Sequence, residues 1–256
     1  MIIEYHRPQT LNEALSLLSR QQPATYPLGG GTVINQGMED PIAVVDLQAL
    51  GLSTITSLGN QLQIGATVTL QQLLEFNRLA EDIYKAIKHE ATYNLRQMAS
   101  IAGTLVAASG RSPFATVMLA LNASLEFRAL GDNPEQVEVG NWLPMRDRTK
   151  PNKLITAVSI PTNTRLSYEY IARTPADQPI VCAAAVQWGS GRTRLALGGW
   201  GKSPVLALDG PNSDGIEAAA LNAYSMAADE WASADYRQEM AGILATRCMQ
   251  RIVVGE

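Results

Sequence analysis

The stretch Pro27-Leu28-Gly29-Gly30-Gly31-Thr32-Val33-Ile34-Asn35, PLGGGTVIN, sets three consecutive glycines between two apolar runs. Ordered glycine costs backbone entropy, so three in a row need a reason. A dinucleotide fingerprint requires GxGxxG leading into a helix. Counted from Gly29, its third glycine would fall at Ile34, and Pro41 with the apolar run IAVVDL arrives too soon for a long helix. A Rossmann loop is therefore excluded. Two readings stay open: successive backbone N–H groups forming a nest for phosphate oxygens, or an ordinary tight turn.

The flanks define the surrounding unit. ATYPL before the glycines and IAVVDL (42–47) after them read as short strands. Thr10-Leu11-Asn12-Glu13 is a capping box opening a helix over about 11–20, with Leu11, Ala14, Leu15 and Leu18 on one face. The first fifty or so residues thus form a strand–helix–strand unit around a glycine loop. Further on, ITSLGNQLQIGA reads as a hairpin turning at Gly59-Asn60. Thr69-Leu70-Gln71-Gln72 opens another helix, and a helical run covers about 81–92.

Asn94 to Thr104 reads as a loop rich in small residues, carrying Ser100-Ile101-Ala102-Gly103-Thr104-Leu105. Two small-residue loops in one domain could pinch a long dinucleotide; the alternative is a tight loop packed under the next helix. That helix starts at Pro113 and runs to Asn122, followed by strands at SLEFRAL, QVEVG and LITAVSIP. After Pro161 three β-type runs, RLSYEYIAR, IVCAAAVQW and TRLALGGW, precede helices over about 214–229 and 233–252. Strands first and helices second indicate a separate α+β module, with a boundary near 162–166.

Composition bounds the function. The 256 residues are 46% hydrophobic and 17% charged with a net charge of −4, which argues against a nucleic-acid surface. No apolar run reaches the roughly 18 residues of a membrane span. The N-terminus lacks the form of a signal peptide, so a cytoplasmic location is expected. Cys182 and Cys248 form no CxxC pair and read as buried thiols. With His6 and His89 as the two histidines, no metal is expected on this chain. No nucleophile–base set or carboxylate pair stands out. A chain that holds a cofactor by backbone groups, leaving the chemistry to that cofactor, fits better.

Read in order, these segments resemble the flavoprotein (medium) subunit of the molybdenum hydroxylases, the group of carbon monoxide dehydrogenase and xanthine dehydrogenase. YHRPQTLNEALSLL resembles the family's start, and LGGGTVI its first FAD loop, commonly AGGTDL. NLRQMASIAGTLVAAS resembles the second loop, commonly IRNxATIGGNLxxAS. KLITAVSIP, YEYIARTPADQPIVCAAAV, RLALGGWGKSPVLA and ASADYRQEMAGILATRCM match later family segments in order.

The resemblance implies an α+β fold: a two-part FAD-binding domain of the PCMH type over 1–164, with subdomains of about 1–52 and 53–164. A C-terminal domain of antiparallel strands plus helices follows over 165–256. FAD would be held by Leu28, Gly29, Gly30, Gly31, Thr32, Val33 and Ile34, by Ser100, Ile101, Ala102, Gly103 and Thr104, and by Leu154 and Arg173. In this set Ile34 and Ile101 serve as apolar walls, and Arg173 counters charge, orients a partner or pairs with Asp177. The implied partners are a two-iron iron–sulfur subunit and a molybdopterin subunit, in a complex that could be a homodimer. Electrons would arrive from the iron–sulfur subunit and leave to NAD, a quinone or oxygen.

Four positions depart from the pattern. Val33 stands where Asp is common, Ala102-Gly103-Thr104 where GGN is usual, Ser112-Pro113 where an Asp is usual, and Glu169 where a Lys is frequent. They carry the competing reading, a chain that kept the scaffold, lost FAD and serves as a structural or assembly subunit.

Overall fold

A computed structural model describes residues 1–34, 40–148 and 152–254. The chain begins β1 (Ile2–His6), α1 (Leu11–Leu18), β2 (Ala24–Leu28), β3 (Ile42–Asp46), β4 (Ile55–Leu58) and β5 (Gln61–Gly65). Five helices follow: α2 (Leu70–Leu74), α3 (Glu81–Glu90), α4 (Tyr93–Arg96), α5 (Ile101–Ala107) and α6 (Pro113–Ala120). Then come β6 (Ser124–Arg128), β7 (Glu135–Glu138), α7 (Val139–Trp142) and β8 (Leu154–Pro161). The last elements are β9 (Thr164–Ile171), β10 (Val181–Trp188), β11 (Thr193–Gly198), β12 (Val205–Gly210), α8 (Ile216–Ala223) and α9 (Ala234–Val254). By packing, the chain divides into two units. The first comprises Met1–Glu75, Tyr93–Ala107 and Ser124–Ser159; the second comprises Phe76–Thr92, Ala108–Ala123 and Ile160–Glu256.

The first unit holds two sheets. One is parallel, ordered β1-β3-β2, with Ala24 paired to Ile42 and Leu28 to Asp46. Its central strand IAVVD is buried at every position, as a middle parallel strand should be. α1 lays Ala14, Leu15 and Leu18 onto Val45, Leu47 and Leu154. The Thr10 hydroxyl accepts the Glu13 N–H (3.3 Å), while the Glu13 carboxylate reaches back to the Gln9 N–H (3.1 Å), one residue before the cap. The second sheet is ordered β4-β5-β8-β6-β7 and includes the expected hairpin, Leu58 pairing with Gln61. At Thr69 the capping box is complete, the Gln72 side chain accepting the Thr69 N–H (2.9 Å).

The second unit is built on the antiparallel sheet β12-β11-β10-β9. β10 and β11 are almost wholly buried because α6 packs against both, while α9 packs on β9 and β10 and α8 on β11 and β12. Between these layers Val181, Ala183, Ala185, Leu195 and Leu197 meet Ile216, Tyr224, Leu244 and Cys248. Every residue of α6 is buried, and its one hydroxyl, that of Thr116, donates to the Ser112 carbonyl (2.8 Å).

Several features differ from the sequence reading: the helix expected over about 214–229 ends at Ala223, and the strand expected at QVEVG stops at Glu138, where Val139 begins α7. Asn94–Thr104 is not a continuous loop: α4 and α5 occupy most of it, and the Ser100 hydroxyl accepts the Gly103 N–H (3.2 Å) as a helix cap. Strand β1 forms at the N-terminus, paired in parallel with β3. Strand β12 follows GWGKSP, whose glycines and proline mask a half-buried edge strand.

Candidate functional site

The glycine run leaves the C-terminal end of β2, the end at which parallel sheets present ligand-binding loops. Its path is dictated by the segment 98–100. A Cβ on Gly30 would lie 1.6 Å from the Met98 carbonyl oxygen, and one on Gly29 would lie 2.7 Å from Ser100 Oγ. Gly31 has φ +70°, a conformation that favours glycine. The two small-residue segments are therefore in direct contact. Among the described residues, the backbone N–H groups of Gly29, Gly30 and Gly31 find no acceptor. Three successive unspent donors are what an anion nest requires.

The second segment differs. The N–H of Ile101 donates to the Val68 carbonyl (2.9 Å), that of Ala102 to Ala66 (3.3 Å) and that of Thr104 to Ser100 (2.8 Å). The Gly103 N–H is taken by Ser100 Oγ, and Thr104 Oγ1 donates to the Ser100 carbonyl (2.9 Å). These groups shape a wall; their donors are already used. Gly103 is small for a local reason, since a Cβ there would come 2.9 Å from Ser100 Oγ.

A cavity of about 320 Å³ opens beside both segments. Gly29, Ser100, Ala102, Gly103 and Leu154 line it together, so five residues expected from sequence share one wall system. Leu28, Gly30, Gly31, Thr32, Val33 and Ile34 belong to the adjoining strand end and loop, with Val33 half exposed. Ile101 is fully buried and lines no part of the cavity. The apolar wall comes instead from Phe127, Trp142 and Ile155, the two rings lying 5.9 Å apart and tilted by 53°. Arg146 and Lys153 also line the cavity, with Asp147 beside them; the Lys153 ammonium is paired with the Glu135 carboxylate (2.5 Å). Sequence reading passed over this group, which converges only when β6, α7 and β8 come together.

These residues fit one part of a dinucleotide cofactor: unspent N–H donors and cations for phosphate, an aromatic and aliphatic wall for a heterocycle. The departures find local accounts. Ala102 lines the cavity, where its methyl narrows the space. Ser112-Pro113 starts α6: Ser112 Oγ accepts the Ala115 N–H (3.1 Å), and Glu90 accepts both the Ser112 hydroxyl (2.7 Å) and the Phe114 N–H (2.9 Å). Burial pushes the Glu90 carboxyl up, against those two hydrogen bonds. Glu169 belongs to the second unit, where it pairs with Arg251 (2.6 Å) and Lys85 (3.5 Å). Arg173 is also in that unit, its guanidinium 4.9 Å over the Trp231 ring rather than paired with Asp177.

Outside this region acid–base chemistry has little to work with. Cys182 and Cys248 are buried, and burial pushes each thiol up to about 12, so neither is a thiolate at neutral pH. His89 Nε2 donates to the Asp177 carbonyl (2.7 Å), which leaves Nδ1 to accept from the Tyr168 hydroxyl (3.1 Å). Among the described residues no three His, Cys, Asp or Glu side chains converge as a metal site. None of the described helices is long and apolar enough to cross a membrane.

Residues 1–163 match the family model described as the FAD binding domain in molybdopterin dehydrogenase. The carbon monoxide dehydrogenase medium chain of Afipia carboxidovorans is 27% identical, the match covering 97% of this chain and 96% of that one. The uncharacterized protein YgfM of Escherichia coli K12 is 26% identical, covering 95% of this chain and 94% of its own. Among solved structures, reconstituted CO dehydrogenase from Oligotropha carboxidovorans superposes with a TM-score of 0.81 at 25% identity, over 97% of this chain and 96% of that one.

Proposed function

This chain belongs to the family of FAD-binding domains in molybdopterin dehydrogenases, and from that premise we propose that it is the flavin-carrying, electron-transferring subunit of a molybdenum hydroxylase-type complex. Residues 1–164 form the cofactor domain and 165–256 the C-terminal domain. The complex is cytoplasmic, and its other members are an iron–sulfur subunit that delivers electrons and a molybdopterin subunit that generates them. FAD, when bound, supplies the redox chemistry. The carbon monoxide dehydrogenase medium chain supports this reading through a match along nearly its whole length.

The observation that carries the proposal is the row of N–H donors on Gly29, Gly30 and Gly31 that find no acceptor among the described residues, beside a cavity with one small-residue wall and one aromatic wall. In this reading the three N–H groups bind diphosphate oxygens, with Thr32 continuing the loop. Ser100, Ala102 and Gly103 shape the facing wall, and Leu154 with Phe127 and Trp142 packs against a heterocycle. Arg146 offsets phosphate charge, and Lys153 does so on leaving its exposed pair with Glu135. No side chain of the site has to move a proton.

The competing reading, a structural subunit without FAD, is favoured by Ala102, whose methyl occupies cavity wall where the family pattern has glycine. Titration of the purified chain with FAD separates the two. Saturable binding, with a flavin absorption band retained after desalting, supports the flavoprotein. A colourless chain that takes up no FAD supports the structural subunit and removes the first reading.

A further inference from the structure

Trp231 is an exposed indole on a rigid mount. Arg237, fully buried, donates from Nε to the Ile180 carbonyl (3.1 Å) and from one terminal nitrogen to the carbonyls of Ala227 (2.9 Å) and Ala232 (3.4 Å). Its other terminal nitrogen donates to both Asp229 carboxylate oxygens (2.8 and 2.9 Å). Asp229 in turn accepts the N–H groups of Trp231 (2.8 Å) and Ala232 (3.2 Å). Trp200 Nε1 donates to the Ala228 carbonyl (3.1 Å) and closes the loop from its other side. A buried guanidinium thus orders a loop that leaves Trp231 40% exposed.

Two further arginines flank that ring. The Arg111 guanidinium lies 4.5 Å from its centre and that of Arg173 4.9 Å. Arg111 is anchored, donating from Nε to the Pro179 carbonyl (3.0 Å) and from a terminal nitrogen to Gln178 (2.8 Å). Arg173 is exposed and makes no hydrogen bond or ion pair with any described residue. The nearby carboxylates are committed elsewhere: Asp229 to Arg237, and Asp177 to the Thr174 N–H (3.1 Å). Like charges brought this close repel, and the ring quadrupole offsets part of that repulsion. Asp229 and Asp177 offset part of the positive charge around Arg111, and the three arginines Arg111, Arg173 and Arg237 still outnumber these two carboxylates.

We propose that Arg111, Arg173 and Trp231 form a preorganised binding site for a multiply charged oxyanion of the phosphate-ester class. Planar guanidinium forks match phosphate oxygens in pairs, and two of them beside one ring suit a diphosphate better than a single carboxylate. Anchoring of Arg111 and of the Trp231 loop removes most of the ordering cost before the ligand arrives. The site stands on the second unit's own residues and does not depend on the flavoprotein reading.

The test is titration of the full chain with inorganic pyrophosphate, read by calorimetry and tryptophan fluorescence, against sodium chloride of matched ionic strength. Saturable binding is expected for the wild type but not for chloride. Arg173→Gln should weaken it at least tenfold with a nearly unchanged melting temperature, because beyond its exposed stacking on Trp231 Arg173 makes no hydrogen bond or ion pair with a described residue. Trp231→Phe should abolish the fluorescence response while keeping the calorimetric signal. Absence of saturable binding, or binding of equal strength by Arg173→Gln, overturns the proposal; the latter would put the anion elsewhere, such as the glycine loop. A nucleotide diphosphate added in place of pyrophosphate separates a free phosphate site from a nucleotide site, by equal or tighter binding.

Discussion

Gly30 lies so close to Met98 that a single added carbon would meet the Met98 carbonyl oxygen at 1.6 Å. The contact joins the loop after β2 to the segment before α5, which makes the glycine run a packing requirement as well as a source of donors. Gly30→Ala should cost about 3 kcal/mol, since backbone rather than a flexible side chain must yield. Gly31→Ala, strained only by its φ of +70°, should cost about 1 kcal/mol. Chemical denaturation of both variants checks the order. Equal losses would mean the loop does not rest on Met98.

Ala102 supplies the most direct probe of the cavity. Removing its methyl enlarges the wall shared with Gly29 and Gly103, while glycine inside α5 costs about 1 kcal/mol of helix propensity. Ala102→Gly should therefore melt slightly earlier yet bind FAD severalfold more tightly. Weaker FAD binding in proportion to lost stability would show that the methyl obstructs nothing.

His89 gives the second unit a defined acid response. Burial lowers its pKa from 6.5, opposed by the hydrogen bond to the Asp177 carbonyl, and Lys85 adds to the lowering. The neutral ring is favoured in the folded protein, so this contribution is complete above 6.5 and fades as pH falls from there through the lowered folded value. Between pH 7.5 and 5.5 the wild type should lose more melting temperature than His89→Gln. Parallel pH profiles would remove His89 as the cause.

Arg237 should be among the costliest positions in the second unit. Burial opposes ionisation of Asp229, but hydrogen bonds from Arg237, Trp231 and Ala232 hold its carboxyl below the usual range, so the carboxylate is ionised at neutral pH. Arg237→Met leaves that carboxylate and three carbonyls without their donor and should cost about 3–5 kcal/mol. Double substitution with Asp229→Asn should recover part of the loss. Denaturant midpoints of the three variants measure the coupling.

Much of the fold is legible locally because the signals are local. Thr69 and Gln72 are three residues apart, Gly59-Asn60 turns its hairpin by itself, and Ser112-Pro113 carries both cap and first-turn proline. Such interactions need nothing from elsewhere in the chain. Reading failed where a long-range partner decides the outcome. Ser100–Leu105 looks like a loop by composition, yet Val68 and Ala66 take its first N–H groups and Ser100 caps α5. β12 needs β11 beside it to become a strand.

The same division runs through the candidate site. PLGGGTVIN by itself determined that no Rossmann helix follows and favoured an ordinary turn over a nest, because glycine permits both and turns are the commoner use. Tertiary structure decided the rest. Packing against Met98 and Ser100 leaves the Gly29–Gly31 donors without an acceptor among the described residues, whereas those of Ile101–Thr104 are consumed within the fold. Phe127, Trp142 and Ile155 meet these loops only when strands far apart in sequence are brought together. A hydrogen-bond donor counts as free only once every other acceptor has been placed, and that placement belongs to the folded chain.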